Sequence, residues 1–316
     1  MMRQLAAWAS LAAVLGAASV AAAEAVKVDK EKKTLTFVGS IAPYDKYPQL
    51  KGAIEYGLVV AKAGKAYESV IEVAATPQEL YDAFVALGLK PGVPARRDDD
   101  DRVIPPKGAW AAVLVEWEEG GAKKKARLED LVLDGRTKQT LAADAFLFTG
   151  SILDENPATN KTELLANQTK NLLALHQTDK SVLLQNPVSD PPGGSSPYLI
   201  NKEKLPPQAT KVTVTVSLSD PAVTGARRVH AKVKGKVQGV GYRDFTARTA
   251  TELKLTGWVK NLAEGDVELV AEGPAEALQA LADKLLEGPP SSKVEGVSIL
   301  GAKAGTGEFK AFEVRQ

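Results

Sequence analysis

The sequence predicts an α+β protein in two parts, a β-rich segment over residues 24–218 and a smaller β-α-β-β-α-β unit over residues 227–316. Three observations predict this. Apolar residues alternate along many short runs, as in strands with one buried face. The stretches after Thr76 and after Pro274 instead carry apolar residues at the i, i+3, i+4, i+7 spacing of a helix. A chain of 316 residues, with 44% apolar and 25% charged side chains, has the size and composition of two globular domains.

In the first part, Val26 and Val28 alternate with Leu35 and Phe37 around the polar stretch 29–33, a hairpin pattern. Residues 58–60 and 70–73 read as short strands with Gly64 in the turn between them. Thr76 is a good N-cap, Pro77 suits the first helical turn, and Glu79 completes a capping box. Leu80, Ala83, Phe84 and Leu87 then mark one buried helical face, with Gly88 closing the helix and Pro91 just beyond. Residues 113–117 and 126–133, joined by Glu118-Glu119-Gly120-Gly121, read as a second hairpin. Further strands are expected at 146–148, 182–184 and 212–216, and a Pro/Gly/Ser-rich loop at 190–197. The polar segment 219–226, with Pro221 and Gly225, is the expected linker.

In the second part, Val229, Ala231 and Val233 define one face of a strand ending near Lys236. Residues 242–253 suit a helix, with Phe245, Thr249 and Leu253 aligned. Residues 256–261 and 267–271 are two strands around the turn 263–266. The next helix spans 274–287, with Leu278, Leu281, Ala282 and Leu285 on one face and Gly288 at its end. Strands at 294–300 and 309–314 complete the unit. This order is that of the split βαβ arrangement.

Composition narrows the chemistry. The net charge of +1 gives no reason to expect nucleic acid as a partner. The basic run Lys123-Lys124-Lys125 lies near the acidic 116–119 and reads as a solvated face. With no cysteine, disulfides, thiolate metal sites and a Cys nucleophile are excluded, and with only His176 and His230, a His-based triad or zinc site has little support. Arg3, the apolar run 5–20 and Ala21-Ala22-Ala23 read as a signal peptide spanning 1–23, with an uncleaved anchor as the alternative. The expected location is periplasmic or secreted, without stable membrane insertion after cleavage.

The run Lys234-Gly235-Lys236-Val237-Gln238-Gly239-Val240-Gly241-Tyr242-Arg243 resembles the acylphosphatase signature, and Gly257-Trp258-Val259-Lys260-Asn261 resembles that family's second motif. Residues 267–273 and Phe312-Glu313-Val314 are similar to the family as well. The resemblance covers 227–316 and implies a ferredoxin-like antiparallel sheet with two helices. It also implies hydrolysis of acyl phosphates without metal or cofactor, the ligand being a small acyl phosphate or another phosphate-bearing molecule.

The residue types suit that chemistry. A loop over Val237, Gln238, Gly239, Val240, Gly241 and Tyr242, running into a helix N-terminus, can aim backbone N–H groups at a phosphate. Gly239 and Gly241 permit the backbone angles this needs. Arg243 offers a planar, bidentate clamp for phosphoryl oxygens. By resemblance, Asn261 orients the attacking water. An acyl phosphate departs as a carboxylate, whose conjugate acid has a pKa of about 4, so no general acid is needed at neutral pH.

Residues 24–218 resemble the YdjY-like domain, through Ile54-Glu55-Tyr56, Gly64-Lys65-Ala66-Tyr67-Glu68-Ser69, the Thr76 helix, residues 87–92, Phe148-Thr149-Gly150-Ser151 and Leu205-Pro206-Pro207. The family usually has His where Tyr67 stands. The resemblance implies no chemistry and no partner for this part. Glu55, Glu68 and Ser69 are candidate polar residues on their own account, and the acidic run 98–101 is a candidate cation loop that reads equally as an exposed turn. Two readings of the whole remain: an exported acyl phosphate hydrolase, and a non-enzymatic envelope binding protein that keeps the fold and an anion site.

Overall fold

The computed structural model describes residues 26–177, 179–190 and 196–316, so the expected signal segment and most of the Pro/Gly/Ser-rich loop lie outside the described residues. The first part is strand-rich α+β, and its main sheet closes on itself. Val26–Asp29 forms the expected hairpin with Thr34–Ile41, which also pairs along its length with Lys211–Ser217. The sheet continues through Ala109–Glu119, Phe146–Phe148, Leu184–Gln185, Asn171–Ala174 and Tyr56–Val60 to Ser69–Val73. Ser69–Val73 then pairs back onto Thr34–Ile41, which makes a ring. Closure removes the free edges that this run of strands would otherwise present.

The ring buries Leu35 and Phe37 on either side of Thr36 and Val214 and Val216 on either side of Thr215, the alternation of their sequence pattern, while Val113 and Val115 join the same core from a strand that is apolar on both faces. The helix Pro77–Ala86 packs on this core, with Phe84 stacked on Phe148 at 4.3 Å between ring centroids. Its capping box is formed: Glu79 N donates to Thr76 Oγ1 at 3.2 Å, and Thr76 N donates to Glu79 Oε2 at 2.7 Å. The strands expected on either side of Gly64 pair in parallel, because a 3-10 turn at Ala66–Glu68 brings the chain back in the same direction. The second hairpin is Ala109–Glu119 with Ala122–Arg127, and the expected strand beyond it gives way to a 3-10 turn at Leu128–Leu131.

The second part has a ferredoxin-like sheet with two helices. Its strands lie in the order Phe312–Val314, Thr256–Asn261, Val267–Gly273, Arg227–Lys236 and Lys293–Ala304. Tyr242–Glu252 and Ala275–Glu287 are the helices. On Tyr242–Glu252 the buried residues are Tyr242, Thr246, Thr249 and Ala250, so the face is rotated from the expected Phe245/Thr249/Leu253 line.

The two parts share a sheet and a core. Within the expected linker, Pro221–Thr224 forms a single helical turn capped by Asp220. Two short strands of the first part, Arg96–Arg97 and Val103–Ile104, extend the second sheet beyond Lys293–Ala304, at Gly296 opposite Val103. Farther along that edge, Ser189 N donates to Ile299 O at 2.8 Å, and Ala302 N donates to Ala142 O at 2.9 Å. An edge strand left with unpaired amides invites pairing with another chain, and these contacts occupy it. Ile104, Trp110, Ala143, Ala145, Leu147 and Val188 complete the core of the second part.

At the junction, Arg227 is fully buried. Its Nη2 lies 2.7 Å from Asp144 Oδ1, its guanidinium sits 4.1 Å from the Trp110 ring centroid, and its Nη1 donates to the carbonyl of Ala222. Burial favours the neutral form and pulls its pKa below the usual arginine value, against the pull of Asp144.

Candidate functional site

The loop that leaves the strand Arg227–Lys236 is anchored at both ends. Val237 is 1% exposed, and its N–H donates to Gly235 O at 2.9 Å, which withdraws it from the set of available donors. At the far end the Tyr242 ring is buried, and its hydroxyl donates to Leu285 O at 2.5 Å on the second helix. Burial raises the pKa of that hydroxyl. Val237 and Tyr242 therefore serve the loop as anchors, and their side chains do not face solvent.

Between the anchors, the N–H groups of residues 238–241 donate to no acceptor among the described residues. Gly239 and Gly241 have φ of 71° and 76°, left-handed values that a Cβ disfavours, and a Cβ built at either meets nothing within 4 Å. Gly241 is the N-cap of the helix Tyr242–Glu252 and supplies no capping side chain. The first turn of a helix has no internal acceptors for its N–H groups. Consecutive unpaired amides, left-handed glycines and a helix N-terminus together make a concavity with positive potential.

Arg243 is the second residue of that helix. Its Nη1 donates to Arg315 O at 3.3 Å, and no carboxylate pairs with it among the described residues. Arg315 is fixed in turn: its N–H donates to Val259 O at 2.7 Å, and its guanidinium lies 5.1 Å from the Trp258 ring centroid. Asn261 ends the strand Thr256–Asn261 opposite Val267. It is half-buried, and its carboxamide makes no hydrogen bond among the described residues.

Two ties bring the Arg243 loop to the Asn261 strand. One is the Arg315 bridge to Val259. The other is Gln238, whose Nε2 donates to Leu262 O at 2.7 Å and to Asp266 O at 2.8 Å. Sequence reasoning placed Gln238 in the loop for its backbone and missed its carboxamide, and it missed Arg315 altogether. Gln238 was detectable as the one long polar side chain in a loop of small and apolar residues, whereas nothing local marks Arg315.

The polar candidates of the first part do not join this site. Lys65 pairs with Glu68 and lies 3.7 Å from Glu55 Oε2, and Ser69 Oγ donates to Lys65 O at 2.7 Å. Tyr67 meets Tyr47 edge-on at 4.7 Å between ring centroids. In the acidic run, Asp98 accepts from Asp100 N at 3.1 Å and from Arg102 N at 2.9 Å, while Asp101 pairs with Arg97 at 3.3 Å. That is a self-bonded turn. Among the described residues no group of three or more His, Asp or Glu is placed to hold a metal ion.

Comparison with known proteins places this geometry in context. Residues 229–314 match the acylphosphatase family, and residues 26–217 match the YdjY domain. The acylphosphatase of Syntrophotalea carbinolica is 52% identical over 88 residues, which are 28% of this chain and 95% of that protein. That of Methylococcus capsulatus is 53% identical over 88 residues, with the same coverage of each chain. The crystal structure of acylphosphatase from Bacillus subtilis aligns with 28% of this chain and 99% of its own, at 38% identity and a TM-score of 0.28. The chain belongs to the YdjY-domain family over residues 26–217 and to the acylphosphatase family over residues 229–314.

Proposed function

We propose that this protein is an exported hydrolase that converts an acyl phosphate and water to a carboxylate and phosphate. The reading is carried by one observation: backbone N–H groups at residues 238–241, unpaired among the described residues, run into a helix N-terminus beside an arginine that no carboxylate of the described residues pairs with. The phosphoryl oxygens accept from these amides and from Arg243, and the excess charge sits against fixed donors that need no reorganisation. The loop's ligand-binding stretch is Gln238 to Tyr242, through the backbone. Asn261, whose carboxamide is uncommitted among the described residues, accepts from and orients the water that attacks phosphorus. The carboxylate leaves unprotonated, so positioning and charge stabilisation supply the catalysis. The acylphosphatases at about 50% identity over the domain support the same reaction class.

Location in the periplasm or outside the cell belongs to this proposal through the charged start, the apolar run and Ala21-Ala22-Ala23. So does a division into residues 24–218 and 227–316, with the hydrolytic site wholly in the second. The test is hydrolysis of benzoyl phosphate by the purified chain lacking residues 1–23, with and without chelator. Turnover well above the spontaneous rate supports the proposal. Tight phosphate binding through Arg243 with no turnover would replace it with a binding module on the same fold.

A further inference from the structure

A cleft of about 400 Å³ opens between the two parts, on the opposite face of the second sheet from the helices. Its position follows from strand alternation: Val229 and Ala231 pack toward the helix Ala275–Glu287, so Arg228 and His230 project from the other face. The facing wall is the 134–142 segment of the first part with Tyr198 and Val188. The volume falls in the range of small-molecule sites, roughly 300–1,000 Å³, and domain junctions are a usual place for them. Arg228 stands at the start of its strand and the anion loop follows the end, eight residues on. At ~3.3 Å per residue the cleft is some 26 Å from the hydrolytic site.

The polar inventory of the cleft is unbalanced. Among the described residues of its lining Asp134 is the one acidic side chain, and both its oxygens are held by Arg136, by Nε at 2.9 Å and by Nη2 at 2.5 Å; Asp190, just outside the lining, acts on Arg136 and Tyr198 through its charge. Arg228 is neutralised by Glu272 and Glu308, and His230 Nε2 lies 2.7 Å from Glu268 Oε1, so these two fix the wall. What remains unpaired among the described residues is a set of donors: the Lys303 ammonium, the second Arg136 nitrogen Nη1, the Gln139 amide and the Thr140 hydroxyl. Around them lie the Tyr198 ring, Val188 and Leu300, the last 39% exposed. One cation, Lys303, without an ion-pair partner among the described residues, together with surplus donors and an apolar wall, suits an anion of single charge with an apolar body. A phosphate dianion would meet too little positive charge.

We propose that this cleft binds a small organic carboxylate, with its carboxylate on Lys303, Arg136 and Gln139 and its apolar part against Tyr198, Val188 and Leu300. Because both parts line the cleft, the ligand bridges them. The site is independent of the hydrolytic reading.

The test is calorimetric titration of the chain lacking residues 1–23, carrying Arg243→Ala to silence the anion loop, with benzoate, benzamide and inorganic phosphate at constant ionic strength. Benzoate should bind at millimolar concentration or below, and more tightly than either of the others. Lys303→Ala should weaken benzoate about tenfold or more, the loss expected of a charge-assisted contact. Lys303 is exposed and has no ion-pair partner among the described residues, so this variant should fold, and an unchanged thermal midpoint without ligand checks it. Benzoate binding no tighter than benzamide, phosphate binding tighter than benzoate, or benzoate affinity unmoved by Lys303→Ala would each overturn the proposal.

Discussion

The carboxamide of Gln238 clasps the backbone at Leu262, donating to its carbonyl at 2.7 Å and to that of Asp266 at 2.8 Å. The residue before Leu262 is Asn261, so this clasp sets how far Asn261, proposed to orient the water, stands from the loop proposed to hold the phosphoryl group. A displacement of about 1 Å in such a pair can lower turnover about 100-fold. Gln238→Ala is therefore expected to lower kcat ten- to a hundredfold and to leave the inhibition constant for inorganic phosphate within about threefold of the parent. Gln238→Glu, which keeps the length and loses both donors, should resemble the alanine variant. Parental kcat in both would show the clasp to be incidental to catalysis.

Arg243 and Asn261 should separate binding from turnover. Arg243→Ala removes a charge-assisted contact of about 1.5–3 kcal/mol and should weaken phosphate inhibition by ten- to a hundredfold while slowing turnover as well. Arg243→Lys should recover only part of this, because an ammonium lacks the planar fork. Asn261→Ala leaves the clamp intact, so turnover should collapse with phosphate inhibition nearly unchanged. Acyl phosphate hydrolysis at the parental rate by Asn261→Ala would remove the assigned role.

The junction gives a stability prediction. Arg227 is buried against Asp144 and Trp110, and removing one partner of a buried pair leaves the other charge uncompensated. Arg227→Ala should lower the unfolding free energy by about 3 kcal/mol, read from urea melts of the full chain. Residues 227–316 alone should still fold and hydrolyse acyl phosphate, since the loop, Arg243, Asn261 and Arg315 all lie within them. The fragment should unfold at a clearly lower temperature, because it loses Trp110, Ala143, Ala145 and Leu147 from its core. An inactive but folded fragment would mean that the first part contributes to the site.

What the sequence disclosed was local. The capping box at Thr76, the glycines before Arg243 and the order of elements from Arg227 onward are each written within a few residues, and they appear in the fold as read. What it hid depends on distant partners. Val103 and Ile104 form only a two-residue strand, too short for any periodic signal, yet they extend the second sheet. The ring in the first part closes where Ile71 meets Ile41, and alternation within either strand says nothing of that pairing. Nothing in the residues around Arg227 marks it as buried, and the approach of Asp144 and Trp110 makes its burial tolerable. The left-handed Gly239 and Gly241 were legible from residue type, and Gln238 stands out as the one long polar side chain of the loop, but its partners Leu262 and Asp266 lie too far along the chain for any local pattern to mark them.

Near the same junction a buried carboxylate makes stability depend on pH. Glu129 is 5% exposed, and its carboxyl is pushed up to about 7 by burial. Its own backbone N–H and the Arg127 guanidinium, 3.5 Å away, oppose the rise, while Asp130 and Asp144 add to it. In the unfolded chain the group titrates near its ordinary value of about 4.3. Between that value and about 7 the folded protein thus holds a proton that the unfolded chain has released. Stability contributed by this group is present below pH ~4.3, falls as pH rises through the window, and is gone above about 7. The fall over the whole window cannot exceed about 4 kcal/mol, at 1.36 kcal/mol per pKa unit, and exchange with the neighbouring charges makes a smaller value the expectation. Urea melts at pH 5 and pH 8 should show the parent losing about 1–3 kcal/mol across the interval. Glu129→Gln holds a neutral side chain of the same shape at every pH, so it should lose less and be more stable than the parent at pH 8. A variant that keeps the parental slope would show that Glu129 is ionised throughout, with Arg127 as its effective partner.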